Sequence, residues 1–146
     1  MALDPPPERY LVAPLRIRGI QDTMLYETLS GEVIGAAIEV HRLLGPGLLE
    51  SAYRECLCWE LRDRGHVIDR ERAFPVAYKG ARVDVGYRAD LIVDDRVLVE
   101  LKSTDRIARV HTAQLLTYLK LSRLRLGILM NFNVPVLKDG ILRVML

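Results

Sequence analysis

Asp90, then Glu100-Leu101-Lys102 ten positions on, set two carboxylates and an ammonium inside stretches that are otherwise almost wholly apolar, Ala89 to Val93 and Val97 to Leu101. Burying such charges is unfavourable unless they are paired or bound to a metal. Two acids can hold a hard divalent cation, Mg²⁺ or Mn²⁺, through oxygen, with room left for water and a phosphate oxygen. A lysine two residues beyond one of them shares its side of a strand, where it can orient an attacking water and offset charge building on a phosphate. That chemistry is metal-assisted phosphodiester hydrolysis. The competing reading is an ordinary cross-strand salt-bridge cluster of Arg88, Asp90, Glu100 and Lys102.

The elements around these residues must bring them together. From Ala81 to Val93 the pattern alternates and predicts one long strand. Val83, Val85, Tyr87, Ala89, Leu91 and Val93 share one face; Arg82, Asp84, Arg88 and Asp90 share the other. Asp94-Asp95-Arg96 turns the chain and Val97 to Lys102 returns it. A three-residue turn pairs Val93 with Val97 and hence Asp90 with Glu100, whereas a two-residue turn sends the acids to opposite faces. Opposed like charges destabilise a sheet, so the first register makes sense only with a cation between them.

Helices are predicted on both sides of this hairpin. Val33, Ile34, Ala37, Ile38, His41 and Leu44 form a stripe at helical spacing, broken at Gly45-Pro46-Gly47. A second helix runs from about Leu48 to Arg64 and stops at Gly65. Glu50 and Tyr53 share a face at its start, where an acid also suits the helix dipole and a tyrosine also suits a core. A third helix, about Ala108 to Leu121, puts His111, Gln114 and Tyr118 on one stripe and Leu115, Leu116 and Leu119 on its packing face. Such a polar stripe can be merely solvated, or can line a substrate groove; for His111 a structural role is preferred. Arg106, Arg109, Lys120, Arg123 and Arg125 form the one notable basic patch, with surface solubility as its plain alternative. Short strands are expected at His66 to Arg70, Ala73 to Tyr78 and Leu126 to Asn131, and a turn at Lys138-Asp139-Gly140 between Val134–Leu137 and Ile141–Leu146.

The chain has 146 residues, half of them hydrophobic, and a formal net charge of +2. That is the size of one domain able to bury a core, and the balance argues against bulk coating of nucleic acid. Residues 1–22, with four prolines, read as a tail or arm, and 23–146 as a single domain. Cys56 and Cys58 point in different directions on a helix, so free thiols in a reducing cytoplasm are expected. No apolar run is long enough to span a bilayer and the start lacks signal-peptide character, so a cytoplasmic location without membrane attachment is expected.

The motifs together resemble the bacterial and archaeal GxxExxY proteins. The likeness runs through Gly47-x-x-Glu50-x-x-Tyr53, Tyr87-Arg-Ala-Asp90, Val99-Glu100-Leu-Lys102, His111-Thr-Ala-Gln114-Leu-Leu-Thr-Tyr118 and Gly127-Ile-Leu-Met-Asn131-Phe-Asn133. It covers about residue 30 to the end. That family resembles a RecB-like branch of the PD-(D/E)XK nuclease superfamily, although Ala89 stands where many members have proline. The resemblance implies an α/β (α+β) fold, a central mixed sheet flanked by helices, with Mg²⁺ or Mn²⁺ as cofactor. It makes Asp90 and Glu100 metal ligands with help from Glu50, and Lys102 the catalytic lysine. Gln114 and Tyr118 match a Q-x-x-x-Y helix motif. Arg88, Tyr53 and Arg109 are expected at the substrate, which is nucleic acid, with DNA ranked ahead of RNA. A homodimer is an open option. The alternative function is a non-catalytic nucleic-acid-binding or protein-interaction module that keeps the nuclease fold.

Overall fold

A computed structural model of the chain describes residues 19–84 and 86–146. Helix α1 (Gly19–Leu44) buries Leu29, Val33, Ala36, Ala37 and Val40 along one face. This stripe is rotated from the expected one, because Ile38 and Leu44 stay exposed and the small pair Ala36-Ala37 supplies the contact. The helix also takes in positions 19–22 of the expected tail; residues 1–18 of that tail lie outside the described residues. Gly45 and Gly47, both at positive φ, turn the chain into α2 (Glu50–Asp63), and Gly65 at φ 91° ends the helix as its position suggested.

The sheet has five strands: β1 (Ile68–Ala73), β4 (Arg88–Val93), β5 (Val97–Lys102), β6 (Leu126–Asn131) and β7 (Ile141–Met145), in the order β1-β4-β5-β6-β7. Only β5 and β6 run parallel, joined through α3 (Arg109–Ser122); the other neighbours are antiparallel. A parallel pair needs such a crossover, and the helical segment between two apolar runs supplies it. Helices α1 and α2 cover one face, where Leu91, Val93, Val97, Val99, Leu101, Ile128 and Met130 join their core. Helix α3 covers the other, over Ile92, Leu98 and Leu129. Because β4, β5 and β6 are covered on both faces, they read as near-continuous apolar runs. The result is the mixed central sheet flanked by helices that the sequence led us to expect.

Four expectations about strands change. The strand expected over Ala73 to Tyr78 is divided at Phe74-Pro75, with Ala73 ending β1 and Val76–Tyr78 forming a short strand of its own. The strand predicted over Ala81 to Val93 is two strands, β3 (Ala81–Val83) and β4, and Val85 lies outside the described residues. β3 pairs with β2 (Val76–Tyr78) in a separate exposed hairpin, which leaves the sheet between Phe74 and Tyr87. A single face for positions 81 to 93 also fails. Ala89 packs on the α3 side with Ile92, while Leu91 and Val93 pack on the α1/α2 side. The change of face falls at Asp90, opposite Glu71, whose φ of 52° interrupts β1 between the pairs Arg70↔Leu91 and Arg72↔Ala89. Finally, Val134 to Leu137 is not a strand, and Leu137–Gly140 is one turn of 3₁₀ helix.

Candidate active site

The turn that fixes everything downstream is at positions 94 to 96. Asp94 and Asp95 both take positive φ, the Arg96 N–H donates to the Val93 carbonyl at 3.0 Å, and Val93 pairs with Val97. The three-residue turn required by the sequence argument is therefore present. Asp94 holds it from the side: its carboxylate accepts the Val67 N–H at 2.8 Å and contacts His66 Nδ1 at 2.7 Å.

The regular pairing of β4 with β5 continues to Leu91↔Val99, and beyond it the two acids take over. The Asp90 N–H donates to Glu100 Oε1 at 3.0 Å, and the Leu101 N–H donates to Asp90 Oδ2 at 2.9 Å. Each carboxylate thus bonds the backbone of the other strand. Glu100 is buried, with 5% exposure. Burial first, and then the Asp90 charge, push its carboxyl up to about 8. Burial also raises Glu50, with Lys102 and Arg54 opposing and Asp90 adding to the rise.

Lys102, two residues past Glu100, is half-buried, and its charge is felt at Glu50, Glu100 and His111. Its position is secured by backbone pins. The Phe132 N–H donates to the Lys102 carbonyl at 2.9 Å. The buried Asn131 amide grips Thr104, accepting its N–H at 3.1 Å and donating to its carbonyl at 2.8 Å. Ser103 donates to the Leu48 carbonyl at 2.7 Å, tying the end of β5 to the entry of α2. That tie brings Glu50, the first residue of α2, to the site. Sequence reading gave Asn131 no role beyond the resemblance; its place at the end of an apolar strand beside a second asparagine was the available signal.

The Gly-x-x-Glu-x-x-Tyr spacing has a mechanical basis. Gly47 supplies positive φ, Glu50 begins the helix, and Tyr53 reaches back one turn. The Tyr53 hydroxyl donates to the Gly45 carbonyl at 2.5 Å and accepts the Leu48 N–H at 3.1 Å, while its ring stacks on Phe132 at 4.5 Å. Tyr53 is fully buried. It was expected at the substrate, but it has no surface to offer one: its hydroxyl is consumed by the loop it holds. On α3, Gln114 donates to the Tyr118 hydroxyl at 3.2 Å, so this pair acts as a unit. Burial and then Glu100 raise the Tyr118 phenol, and its ring meets Tyr87 edge-on. His111 accepts the Ala108 N–H at 3.0 Å through Nδ1 and so closes the helix start, the structural role preferred for it. Arg88 and Arg109 are exposed, the first beside Asp90 and the second in the first turn of α3.

The salt-bridge cluster anticipated among neighbouring strands is not the one that forms. Asp90 pairs with Arg54 of α2, Nη1 to Oδ1 at 3.1 Å, rather than with Arg88 or Lys102. Arg54 is not marked by any motif of the sequence; its spacing of one turn from Glu50 was the signal. Among the described residues, no three His, Cys, Asp or Glu side chains gather as an ion site. Glu50 is near in charge but does not complete a three-acid cluster. Asp90 and Glu100 nevertheless fit a hard cation as a two-carboxylate site, since two acids pressed together at partial burial need a positive charge or a proton between them. Two cavities, of about 410 and 440 Å³, are lined from Arg62, Arg70 and Arg72 or from Glu55 and Trp59, away from these acids. The acids are the better guide to chemistry, because each bonds the backbone of the opposite strand and burial raises the Glu100 carboxyl.

Residues 27–144 match a family model described as PD-(D/E)XK nuclease superfamily. The chain belongs to that superfamily, a class of nucleases whose members typically use divalent metals. No curated protein and no solved structure matches it. No helix among the described residues is long and apolar enough to cross a membrane.

Proposed function

We propose that this protein is a divalent-cation-dependent nuclease, of the GxxExxY type and the RecB-like branch, that hydrolyses phosphodiester bonds in DNA ahead of RNA. The observation that carries the reading is the mutual bridging of Asp90 and Glu100 across the hairpin, with Lys102 two residues on. Asp90 and Glu100 would hold Mg²⁺ or Mn²⁺, with Glu50 adding negative charge. The ion, when bound, supplies Lewis acidity at the phosphate. Lys102 orients the attacking water and offsets charge on the phosphate in the transition state. Tyr118, braced by Gln114, presents its hydroxyl beside Glu100, and Arg88 holds the nucleic-acid backbone. Arg109, exposed in the first turn of α3, would contact the nucleic-acid backbone as well. DNA as the preferred substrate, a cytoplasmic location and an optional homodimer complete the proposal.

One observation favours the alternative, a binding module without catalysis: Asp90 already has a cationic partner in Arg54. Single- and double-stranded DNA and RNA, incubated with Mg²⁺, Mn²⁺ or EDTA beside the Lys102→Ala protein, separate the two. The nuclease reading expects metal-dependent cleavage that the variant loses. Nucleic acid bound but left intact on every substrate supports the module instead.

A further inference from the structure

Helix α2 brings a cation as well as an acid to the site. Arg54, one turn after Glu50, places Nη1 3.1 Å from Asp90 Oδ1 and Nη2 3.8 Å from Glu71 Oε1. The Arg54 and Asp90 side chains are 19% and 12% exposed, so the pair is poorly screened, whereas Glu71 is 52% exposed at the rim. Arg54 Nε is buried without a partner, so the guanidinium is anchored at its tip alone. Glu71 holds its position at the break in β1, opposite Asp90.

We propose that Arg54 is a resident counter-cation: it holds Asp90 while no divalent ion is bound, yields to one by shifting toward Glu71, and thereby sets the site's affinity for the ion. The inference rests on reading Asp90 and Glu100 as the ion-binding pair. A guanidinium and a divalent cation cannot share one carboxylate oxygen without strong repulsion, so each must exclude the other from Asp90 Oδ1. Without Arg54, the Asp90 carboxylate would stand at 12% side-chain exposure without an ion pair, which explains why an arginine is present where an ion would bind. Glu71 gives the displaced guanidinium a partner already within reach, so displacement exchanges one ion pair for another.

Mn²⁺ and Mg²⁺ alone, titrated by calorimetry into the full chain and followed by thermal unfolding, test this without reference to turnover. Arg54→Met should bind Mn²⁺ about tenfold more tightly than wild type, the factor expected when a charge-assisted pair no longer competes. In EDTA it should melt lower than wild type, and Mn²⁺ should raise its Tm by more. Arg54→Lys, which keeps the charge without the planar fork, should fold like wild type and bind Mn²⁺ with intermediate affinity, which covers the case of a Met variant that does not fold. Glu71→Gln should weaken Mn²⁺ binding by removing the second partner. Unchanged or weaker Mn²⁺ affinity in the folded Arg54 variants, or Tm losses equal with and without Mn²⁺, overturns the inference. If wild type still cleaves in that case, the nuclease reading stands alone. If wild type neither binds Mn²⁺ nor cleaves, both fall.

Discussion

Glu100 carries the residue-scale consequences most open to measurement, because its proton and a cation compete for one place. With its carboxyl raised from 4.5 to about 8, the folded chain keeps a proton through that window that the unfolded chain has lost. Stability from this group is therefore present in full below about pH 4.5 and is lost as pH rises through about 8. Thermal unfolding in EDTA should show wild-type Tm falling across that window, and Glu100→Gln should flatten the fall. The affinity for Mn²⁺ should run the opposite way, rising with pH and levelling off near pH 8, where the proton no longer competes. A wild-type Tm independent of pH across the window, matched by the Gln variant, would count against a shared site. Lys102→Met should lower cleavage about 100-fold or more with Tm little changed, as expected for a group used mainly in the transition state; single-turnover rates check it.

At the scale of elements, the turn at positions 94 to 96 governs the site. A one-residue slip there would move every side chain of β5 to the opposite face, Glu100 and Lys102 included. Asp94→Ala removes the acceptor for the Val67 N–H and the partner of His66, and leaves a bulkier-than-glycine residue at positive φ without its side-chain support. Denaturant unfolding should show a loss of about 1–3 kcal/mol, with cleavage falling alongside it. A second close contact fixes α3 over β6. A Cβ on Gly127 would stand 2.9 Å from the end methyls of Leu115 and Leu119, so Gly127→Ala should cost about 1–3 kcal/mol unless both leucines repack. Elements with strong local signals were legible: the hairpin register, β6 to the residue, α2 ending at Gly65, and α3. What local pattern could not show was that one strand ends at Val83 and the next begins at Arg88, since alternation continues between them. The change of face at Asp90 was equally hidden, because it lies opposite a positive φ at Glu71 on another strand. Arg54 depends in the same way on a long-range neighbour, Asp90, whereas the core reading weighed for Tyr53 is the one its burial bears out.

For the whole molecule, the net charge of +2 limits how strongly nucleic acid can be drawn in without an ion. Among the described residues, Arg54 and Lys102 are the cations whose charge reaches the acids, so binding in EDTA should weaken gently with salt. Fluorescence anisotropy should give a log–log slope shallower than about −4, in keeping with few phosphate contacts. A steeper slope would point to the wider basic surface around α3 as the main contact. Class was legible at this scale as well: the order helix, helix, strands, helix, strands led to one α/β or α+β layer domain, and the motif resemblance led to the mixed sheet and to the superfamily that residues 27–144 match. The wiring of the entry of α2 and the end of β6 to the end of β5, through Ser103–Leu48 and Thr104–Asn131, was not, because it joins segments separated by 55 residues or by a whole crossover.

The most direct measurement of the central claim compares wild type, Glu100→Gln and Asp90→Asn on labelled DNA with Mg²⁺ and with EDTA, each protein checked for folding by its Tm. Wild type should cleave with Mg²⁺ and not in EDTA, and both folded variants should lose that cleavage. Cleavage that survives in either folded variant, or that proceeds in EDTA, contradicts the assignment of these two carboxylates as the centre of the site.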